Sequence, residues 1–420
     1  DDLSKYLINY VSQRLKSETG WQDILIILSD SSVPGEGEHK IMAFIRKQRA
    51  KSSYNPNLVH CIYGADADLI MLGLVTHEPN FIIIREDFRP NQHNNQCQVC
   101  MKYGHKVSEC KGIDEDYEST ASAFQGLEEE FLFVRLSVLR EYLQKEFDIC
   151  QETKTLCFER LIDDWILICF LVGNDFLPHL PSLEIREGAV DRLVNIYKNR
   201  ILTFDGYLSE NGFLNLKNFK IILNDIGMLE DETFKQRADK HKIYQQRNKQ
   251  NANRLNDTWV RDKFEQPNLP LSHSDTSLQS SSHISRSDSN VSISSFDKRP
   301  LKRTFNQRES MEADNPPTPY DPVRLGEEGW RKRYYQVKFD IDEKDIESYR
   351  RYVAHEYLIG VSWVLQYYYQ GCVSWSWYYP FHYSPFASDC GTIESLDIDW
   401  SKTKSQIFKP FEQLMAVLPE

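Results

Sequence analysis

The chain lacks any apolar run that approaches the roughly 20 residues required to cross a bilayer. Its mean hydropathy is -0.55. No secretory signal pattern opens it, and its nine cysteines are an odd number. A full disulfide framework is therefore not expected, and a reducing compartment fits the cysteine content better. These absences argue against a membrane-spanning protein and against a small secreted scaffold.

An excess of positive charge is also missing. Lysine and arginine total 50 against 62 acidic residues, which gives a net charge of -12 and a pI near 5.5. This balance argues against a uniformly basic surface that coats nucleic acid. A local basic groove is still compatible with it, because several of the acids group into a candidate metal site.

The length of 420 residues allows a large core and more than one domain. The chain begins without methionine in a helix-like pattern, and we interpret it as an internal piece of a longer protein. Changes in composition predict four regions. These are an α/β core over 1–230, a charged helical extension over 231–266, a disordered Ser/Pro-rich insertion over 267–320, and a second region over 321–420 that completes the active site.

Alternating strand and helix patterns predict an α/β fold with a mostly parallel sheet flanked by helices. A helical, aromatic-rich region follows toward the carboxyl end. Continuous apolar runs predict buried strands at 24–28, 59–63 and 81–85. Periodic patterns predict helices at 39–49, 69–75, 128–150, 158–172, 230–266 and 342–370.

Three groups of carboxylates follow apolar runs, and each lies beside glycine: Glu36 and Glu38, Asp66 and Asp68, and Asp175. Five acids at one point would repel one another and could not all stay ionised. Mg²⁺ or Mn²⁺ removes this conflict, because both cations take hard oxygen ligands and leave positions for water and phosphate. The pattern predicts a metal-dependent site that cuts phosphodiester bonds, with two ions about 4 Å apart.

Each acidic group also has a simpler interpretation, since a lone Asp-x-Asp is often a helix cap. In extended backbone the i, i+2 spacing would point both side chains of a pair the same way. Lys40, Arg46 and His39 follow the first pair. They could contact phosphate or could be ordinary residues of the following helix.

A second metal site is predicted by Cys97, Cys100, His105 and Cys110, in the pattern C-x2-C-x3-G-H-x4-C. Three thiolates and an imidazole at this spacing are typical of tetrahedral Zn²⁺, and Gly104 permits the tight turn that so small a fold needs. Such a knuckle could bind single-stranded RNA or could be purely structural. The basic segment KRPLKR at 298–303 has two interpretations as well, a nuclear address or a solvated linker.

Aromatic residues crowd positions 363–386, and most of them must belong to the core. Aromatic faces also hold unstacked bases, at about 1–3 kcal/mol each. Trp375 and Trp377 are the candidates for this role, with core packing as the alternative for either one.

Together these segments resemble the Xrn family of 5′→3′ exoribonucleases, and the knuckle resembles its nuclear branch. The resemblance is carried by SDSSVPGEGEHKIMAFIRKQR, GADADLIMLGLVTHEPNFIIIRE, LIDDWILICFLVGNDFLPHLPSLEI and SWSWYYPFHYSPFASD. It implies a fold like that of flap endonucleases and PIN-type nucleases, with the five acids as Mg²⁺ or Mn²⁺ ligands. It also implies that one of the two tryptophans stacks on the first base of the RNA.

The same resemblance implies degradation of single-stranded RNA that carries a 5′-monophosphate into mononucleotides. It further implies a nuclear location, roles in transcription termination and RNA processing, and a small stabilising protein partner. The family's amino-terminal segment has no counterpart in these 420 residues. That segment carries two further aspartates, a basic phosphate pocket and a stacking histidine, so we do not expect these residues alone to form the complete site.

Two other functions are weighed against this one. A structure-specific endonuclease could use the same acids and would release short oligomers instead of mononucleotides. A non-catalytic RNA-binding scaffold could keep the zinc knuckle, and its Mn²⁺ binding would not depend on Asp66.

Overall fold

The computed structural model describes residues 2–87, 131–148, 155–264, 321–400 and 406–416. The predicted zinc ligands Cys97, Cys100, His105 and Cys110 lie outside these described residues, as does the predicted insertion with its basic segment. Both therefore stay predictions.

Helices account for most of the described residues. In chain order they are α1 (Asp2–Ser17), α2 (Gly37–Arg49), α3 (Asp68–Val75), α4 (Leu136–Glu146), α5 (Phe158–Cys169), α6 (Ala189–Arg200), α7 (Leu216–Met228), α8 (Glu230–Phe264), α9 (Trp330–Phe339), α10 (Ile346–Tyr369), α11 (Ala387–Cys390) and α12 (Pro410–Ala416). The strands are β1 (His60–Tyr63), β2 (Phe81–Glu86), β3 (Phe131–Arg135), β4 (Ser209–Glu210) and β5 (Phe213–Leu214). The fold is mixed α/β, and the predicted helices α2, α3, α5, α8 and α10 are confirmed within a few residues.

The main sheet has the order β1-β2-β3. β1 and β2 run parallel, with His60 opposite Phe81, as the sequence predicts. β3 runs antiparallel to β2. The prediction of helix from residue 128 is therefore wrong for Phe131–Arg135, and the sheet is mixed. Aromatic and β-branched residues in this segment suit a pleated surface, and pairing with β2 outweighs the helical pattern that starts at Leu136.

The strand predicted at residues 24–28 is also wrong. These residues belong to no helix or strand, and Leu25 is 87% exposed. An apolar run becomes a strand only when a neighbour pairs with its backbone, and within the described ranges no strand pairs with this one. The composition of the run favours burial, but it does not specify which segment would pair with the run.

Two compact units divide the chain, one from Asp1–Glu230 with Lys344–Glu420 and the other from Asp231–Glu343. In the second unit the Trp330 ring meets Phe234 edge-on at 4.9 Å. Its indole Nε1 donates to Asp231 Oδ1 at 2.7 Å. These contacts join α9 to the start of the long charged helix α8.

The first unit has its core around α5 and α10, which are buried along most of their lengths. Even the acid Asp164 on α5 is 0% exposed. It accepts hydrogen bonds from the main-chain nitrogens of Leu208 and Ser209 and from the Tyr197 hydroxyl. Burial nevertheless raises the Asp164 pKa to about 7. These bonds fix α5, and α5 leads into the segment that carries Asp175.

No helix in the described parts of the chain combines the length and the apolar character that a bilayer span requires.

Candidate metal centre

The first pair of acids lies where a loop enters α2. Gly35 has a φ of +100°, a value that L side chains rarely adopt. Glu36 follows in extended backbone as the N-cap residue of α2, and its side chain makes no capping hydrogen bond. Glu38 already belongs to the first helical turn. The expectation of two extended residues is therefore wrong, and the capping alternative is not what engages Glu36.

The second pair lies between β1 and α3, just past the strand end, as predicted. Ala67 is the N-cap residue of α3 and Asp68 is the first helical residue, so capping does not account for this pair either. Asp66 is exposed, whereas Asp68 is half-buried. Asp68 therefore lies closer to the protein interior than its partner.

Asp175 lies in a turn after α5 and is exposed. Gly173 has a φ of +102°, and a Cβ placed on it would lie 3.2 Å from the main-chain nitrogen of His179. Asn174 shapes the turn, because its Oδ1 accepts hydrogen bonds from the main-chain nitrogens of Phe176 and Leu177, both at 2.9 Å. This geometry fixes the backbone on both sides of Asp175.

Replacing Asn174 with alanine removes both hydrogen bonds, each worth about 1 kcal/mol. We expect Mn²⁺ affinity to fall about tenfold, because the two hydrogen bonds no longer fix the backbone on both sides of Asp175. Titration calorimetry of the intact protein with Mn²⁺ measures this. Asn215→Ala is the matched control, since Asn215 Oδ1 accepts from the Asn218 nitrogen at the start of α7. Equal affinities in the two variants would contradict a role for this turn.

The charges of the three acidic groups act on one another. Burial raises the pKa of Glu36, and the charges of Glu38, Asp175 and Asp68 raise it further. Burial likewise raises the Asp68 pKa, with contributions from Glu38, Asp175 and Asp66. The structure thus brings residues from α2, α3 and the turn after α5 into one field of negative charge, which disfavours full ionisation without a cation.

Two side chains contact Glu36: Tyr367, which sequence reasoning did not assign to the site, and His39, for which it offered a phosphate contact or an ordinary place in the helix. The Tyr367 hydroxyl donates to Glu36 Oε2 at 3.1 Å. His39 Nε2 lies 3.6 Å from the same oxygen. Burial and the charge of Arg46 lower the His39 pKa to about 4, so this imidazole is neutral at pH 7. The i, i+3 spacing of Glu36 and His39 was the available signal, whereas nothing local connects Glu36 with Tyr367.

Two basic residues near the acids are engaged by main-chain oxygens. Lys40 Nζ donates to the carbonyls of Asp30 and Val33, both at 3.1 Å. Arg46 Nη1 donates to the Tyr368 carbonyl at 3.0 Å. These contacts favour a structural role for both residues, because they fasten the loop before α2 and join α2 to α10.

The two candidate tryptophans have different surroundings. The Trp375 indole reaches within 3.9 Å of the position that a Cβ on Gly35 would occupy, so it lies beside the acidic loop. Trp377 packs against Trp363, with ring centroids 5.4 Å apart, and against Trp400 at 6.3 Å. Core packing therefore describes Trp377 better, and Trp375 is the better candidate for contact with a ligand at the acids.

The residues present fit a divalent cation. One ligand atom each from Glu36, Glu38 and His39 can be chosen so that all three lie within 4.8 Å of one another. Carboxylate oxygens dominate the surroundings, and their raised pKa values reflect a charge that a cation would neutralise.

Comparison with known proteins agrees with this geometry. A family model described as the XRN 5′-3′ exonuclease N-terminus matches residues 1–87, which hold the first two acidic pairs. A model described as the Xrn1 helical domain matches residues 155–420, which hold Asp175 and Tyr367. The chain belongs to the Xrn family. The resemblance of the four sequence segments to this family is thereby confirmed.

Among curated relatives in the Xrn family, the chain is 46% identical over 445 residues to 5′-3′ exoribonuclease 2 of Gallus gallus. It is 44% identical over 425 residues to the 5′-3′ exoribonuclease 2 homolog of Drosophila melanogaster. Each alignment covers 100% of this chain and 46% of the relative. A third relative, 5′-3′ exoribonuclease 2 of Arabidopsis thaliana, is 38% identical over 459 residues, which cover 99% of this chain and 44% of the relative. The chain thus spans about half the length of the curated relatives it matches.

Proposed function

We propose that the protein is a 5′→3′ exoribonuclease that hydrolyses 5′-monophosphorylated single-stranded RNA to mononucleotides. The observation that carries this proposal is the convergence of Glu36, Glu38, Asp68 and Asp175, with Asp66 beside them, in one negative field. The names of the relatives support the direction of cleavage and the RNA substrate.

In this proposal the five carboxylates hold Mg²⁺, or Mn²⁺ in its place. When bound, such ions lower the pKa of a coordinated water and neutralise charge that develops on the phosphate. No side chain then has to act as the nucleophile. Glu36 and Asp68 are half-buried, so solvent screens their attraction for a cation less than it would for fully exposed carboxylates.

Trp375 would stack on the base of the nucleotide whose phosphate lies at the acids. Its position beside Gly35 supports this assignment, because the same loop carries Glu36. Base stacking tolerates any sequence, since every base has a flat aromatic face. An enzyme that degrades RNA from one end needs this tolerance.

The wider setting is proposed from the names of the relatives together with the sequence motifs. We infer a nuclear enzyme of transcription termination, RNA processing and RNA turnover, with a small stabilising protein partner. Zn²⁺ at Cys97, Cys100, His105 and Cys110 would order the knuckle that lies between the two matched regions.

The test incubates the intact protein with single-stranded RNA that carries either a 5′-monophosphate or a 5′-hydroxyl, with Mg²⁺ or with EDTA. The Asp66→Ala/Asp68→Ala variant is assayed beside it. We expect mononucleotides only from the monophosphate RNA, only with Mg²⁺, and only from the unmutated protein.

Other products would overturn the proposal. Cleavage of both RNAs into oligomers would indicate an endonuclease. Binding of RNA without any cleavage would indicate a scaffold, and in that case Mn²⁺ binding would not depend on Asp66.

A further inference from the structure

Tyr367 connects two parts of the candidate metal centre that lie far apart in the sequence. It is in the last turn of α10 and is 6% exposed. Its hydroxyl donates to Glu36 Oε2 at 3.1 Å across 331 sequence positions. A buried tyrosine hydroxyl needs a partner, and here that partner is a carboxylate of the acidic cluster.

The Tyr367 ring is held on several sides. His39 stacks on it, with centroids 3.7 Å apart and an angle of 14° between the rings. Trp363 lies 5.0 Å away in a tilted arrangement. Phe176 meets the ring edge-on at 5.6 Å. A ring packed in this way cannot swing its hydroxyl away without moving its neighbours.

Phe176 directly follows Asp175, so Tyr367 contacts two of the three acidic segments. Its hydroxyl reaches Glu36 at the start of α2, and its ring packs against Phe176, the residue next to Asp175. A shift of this one side chain would change both positions together. The ring therefore sets the relative placement of the loop before α2 and the turn after α5.

We propose that Tyr367 is a positioning residue that fixes the Glu36 carboxylate so that it binds a small divalent cation through one oxygen. This inference rests on the proposed metal-dependent function. A hydrogen bond to Oε2 restricts rotation of the carboxylate and engages one of its two oxygens. Mg²⁺ demands near-ideal octahedral geometry and Mn²⁺ commonly adopts it, whereas the larger Ca²⁺ binds in a flexible geometry and accepts bidentate carboxylates. The hydroxyl of Tyr367 thus favours the smaller cations.

The test is Tyr367→Phe, which keeps the ring and its packing and removes only the hydroxyl. In the intact protein we expect the Kd for Mn²⁺ to rise about tenfold or more, the range typical of groups that orient metal ligands. The Kd for Ca²⁺ should change by less than about threefold, because Ca²⁺ tolerates the freed carboxylate. Electron paramagnetic resonance measures free Mn²⁺, and titration calorimetry measures Ca²⁺ binding.

Tyr379→Phe is the matched control. Tyr379 is buried, and its hydroxyl donates to the main-chain carbonyl of Tyr383 at 2.9 Å. This variant therefore loses a comparable hydrogen bond away from the acids. We expect it to bind Mn²⁺ as the unmutated protein does.

Each outcome separates this inference from the proposed function. Equal Mn²⁺ and Ca²⁺ affinities in Tyr367→Phe and the unmutated protein would overturn the positioning role, even if the unmutated protein degrades RNA. A parallel loss of both affinities would also overturn it, because a hydroxyl that favours the smaller cations should leave Ca²⁺ binding nearly unchanged. A selective loss of Mn²⁺ binding supports it, even if the unmutated protein fails to degrade RNA.

Discussion

Replacing Asp68 with alanine is expected to abolish RNA hydrolysis and to raise the melting temperature of the metal-free protein. Rate should fall roughly a thousandfold or more, since a catalytic cation supplies several kcal/mol and each ~1.36 kcal/mol is a factor of ten. The rise in stability has a separate cause. Burial and three neighbouring carboxylates raise the Asp68 pKa, so its charge is unfavourable in the folded protein at pH 7.

Thermal unfolding in EDTA and in Mg²⁺ measures both parts of this prediction. In EDTA the variant should melt about 1–3 °C above the unmutated protein. In saturating Mg²⁺ the order should reverse, because only the unmutated protein gains the full free energy of cation binding. Removal of this acid is thus expected to stabilise the metal-free protein and to reduce the stabilisation that Mg²⁺ binding provides.

Glu141→Ala is the control, because Glu141 is an exposed carboxylate on α4 and its removal makes the same change in net charge. It should leave activity, and the stabilisation by Mg²⁺, unchanged. A melting temperature for Asp68→Ala in EDTA below that of the unmutated protein would show that Asp68 stabilises the fold directly. The acids would then not be in mutual conflict.

The parts of this site that the sequence predicts are those set by local pattern. Glu36 and Asp68 each lie at the start of a helix that the periodic apolar residues predict, and β1 ends shortly before Asp66. Those elements are short-range, so their positions follow from a few neighbouring residues. The convergence of the acids was predicted from their charge and from their places after apolar runs. The sheet expected to align them is partly antiparallel, and the apolar run before Glu36 forms no strand.

What the sequence did not predict depends on contacts between distant segments. Residues 24–28 have the composition of a buried strand, yet strand formation needs a partner that composition does not identify. The hydrogen bond from Tyr367 to Glu36 joins residues 331 positions apart. Three consecutive tyrosines at the end of α10 all suit a core, and only the fold decides that Tyr367 donates to Glu36 and Tyr369 to Asp163.

The contacts of His77 could not be predicted from the sequence either, because its charged partners on α5 lie more than 80 positions away. Its Nδ1 lies 2.5 Å from Glu159 Oε2, and its Nε2 lies 3.0 Å from Asp163 Oδ1. Arg140 pairs with Glu159, and the Tyr369 hydroxyl donates to Asp163. These contacts tie the end of α3 to α4, α5 and α10. Because α3 also carries Asp68 at its other end, the network helps to hold that acid in place.

The network makes stability depend on pH in the alkaline range. Burial lowers the His77 pKa, but hydrogen bonds and attraction to Asp163 and Glu159 outweigh it and raise the pKa from 6.5 to about 9. The protonated form is therefore favoured by folding. Its contribution is fully present below pH 6.5 and is lost progressively as the pH rises through 9. The shift corresponds to a fall of about 3 kcal/mol in the free energy of unfolding.

Replacing His77 with asparagine should remove this dependence. Asparagine suits the backbone there, because His77 has a φ of +54° and asparagine tolerates the left-handed region. Urea unfolding between pH 6.5 and 9.5 should show a steep decline for the unmutated protein and a nearly flat, lower profile for His77→Asn. The control is His241→Asn at an exposed position on α8, which should keep the decline. An unchanged slope in His77→Asn would assign the alkaline loss to other groups. A flat profile would identify His77 as the group whose deprotonation destabilises the folded protein.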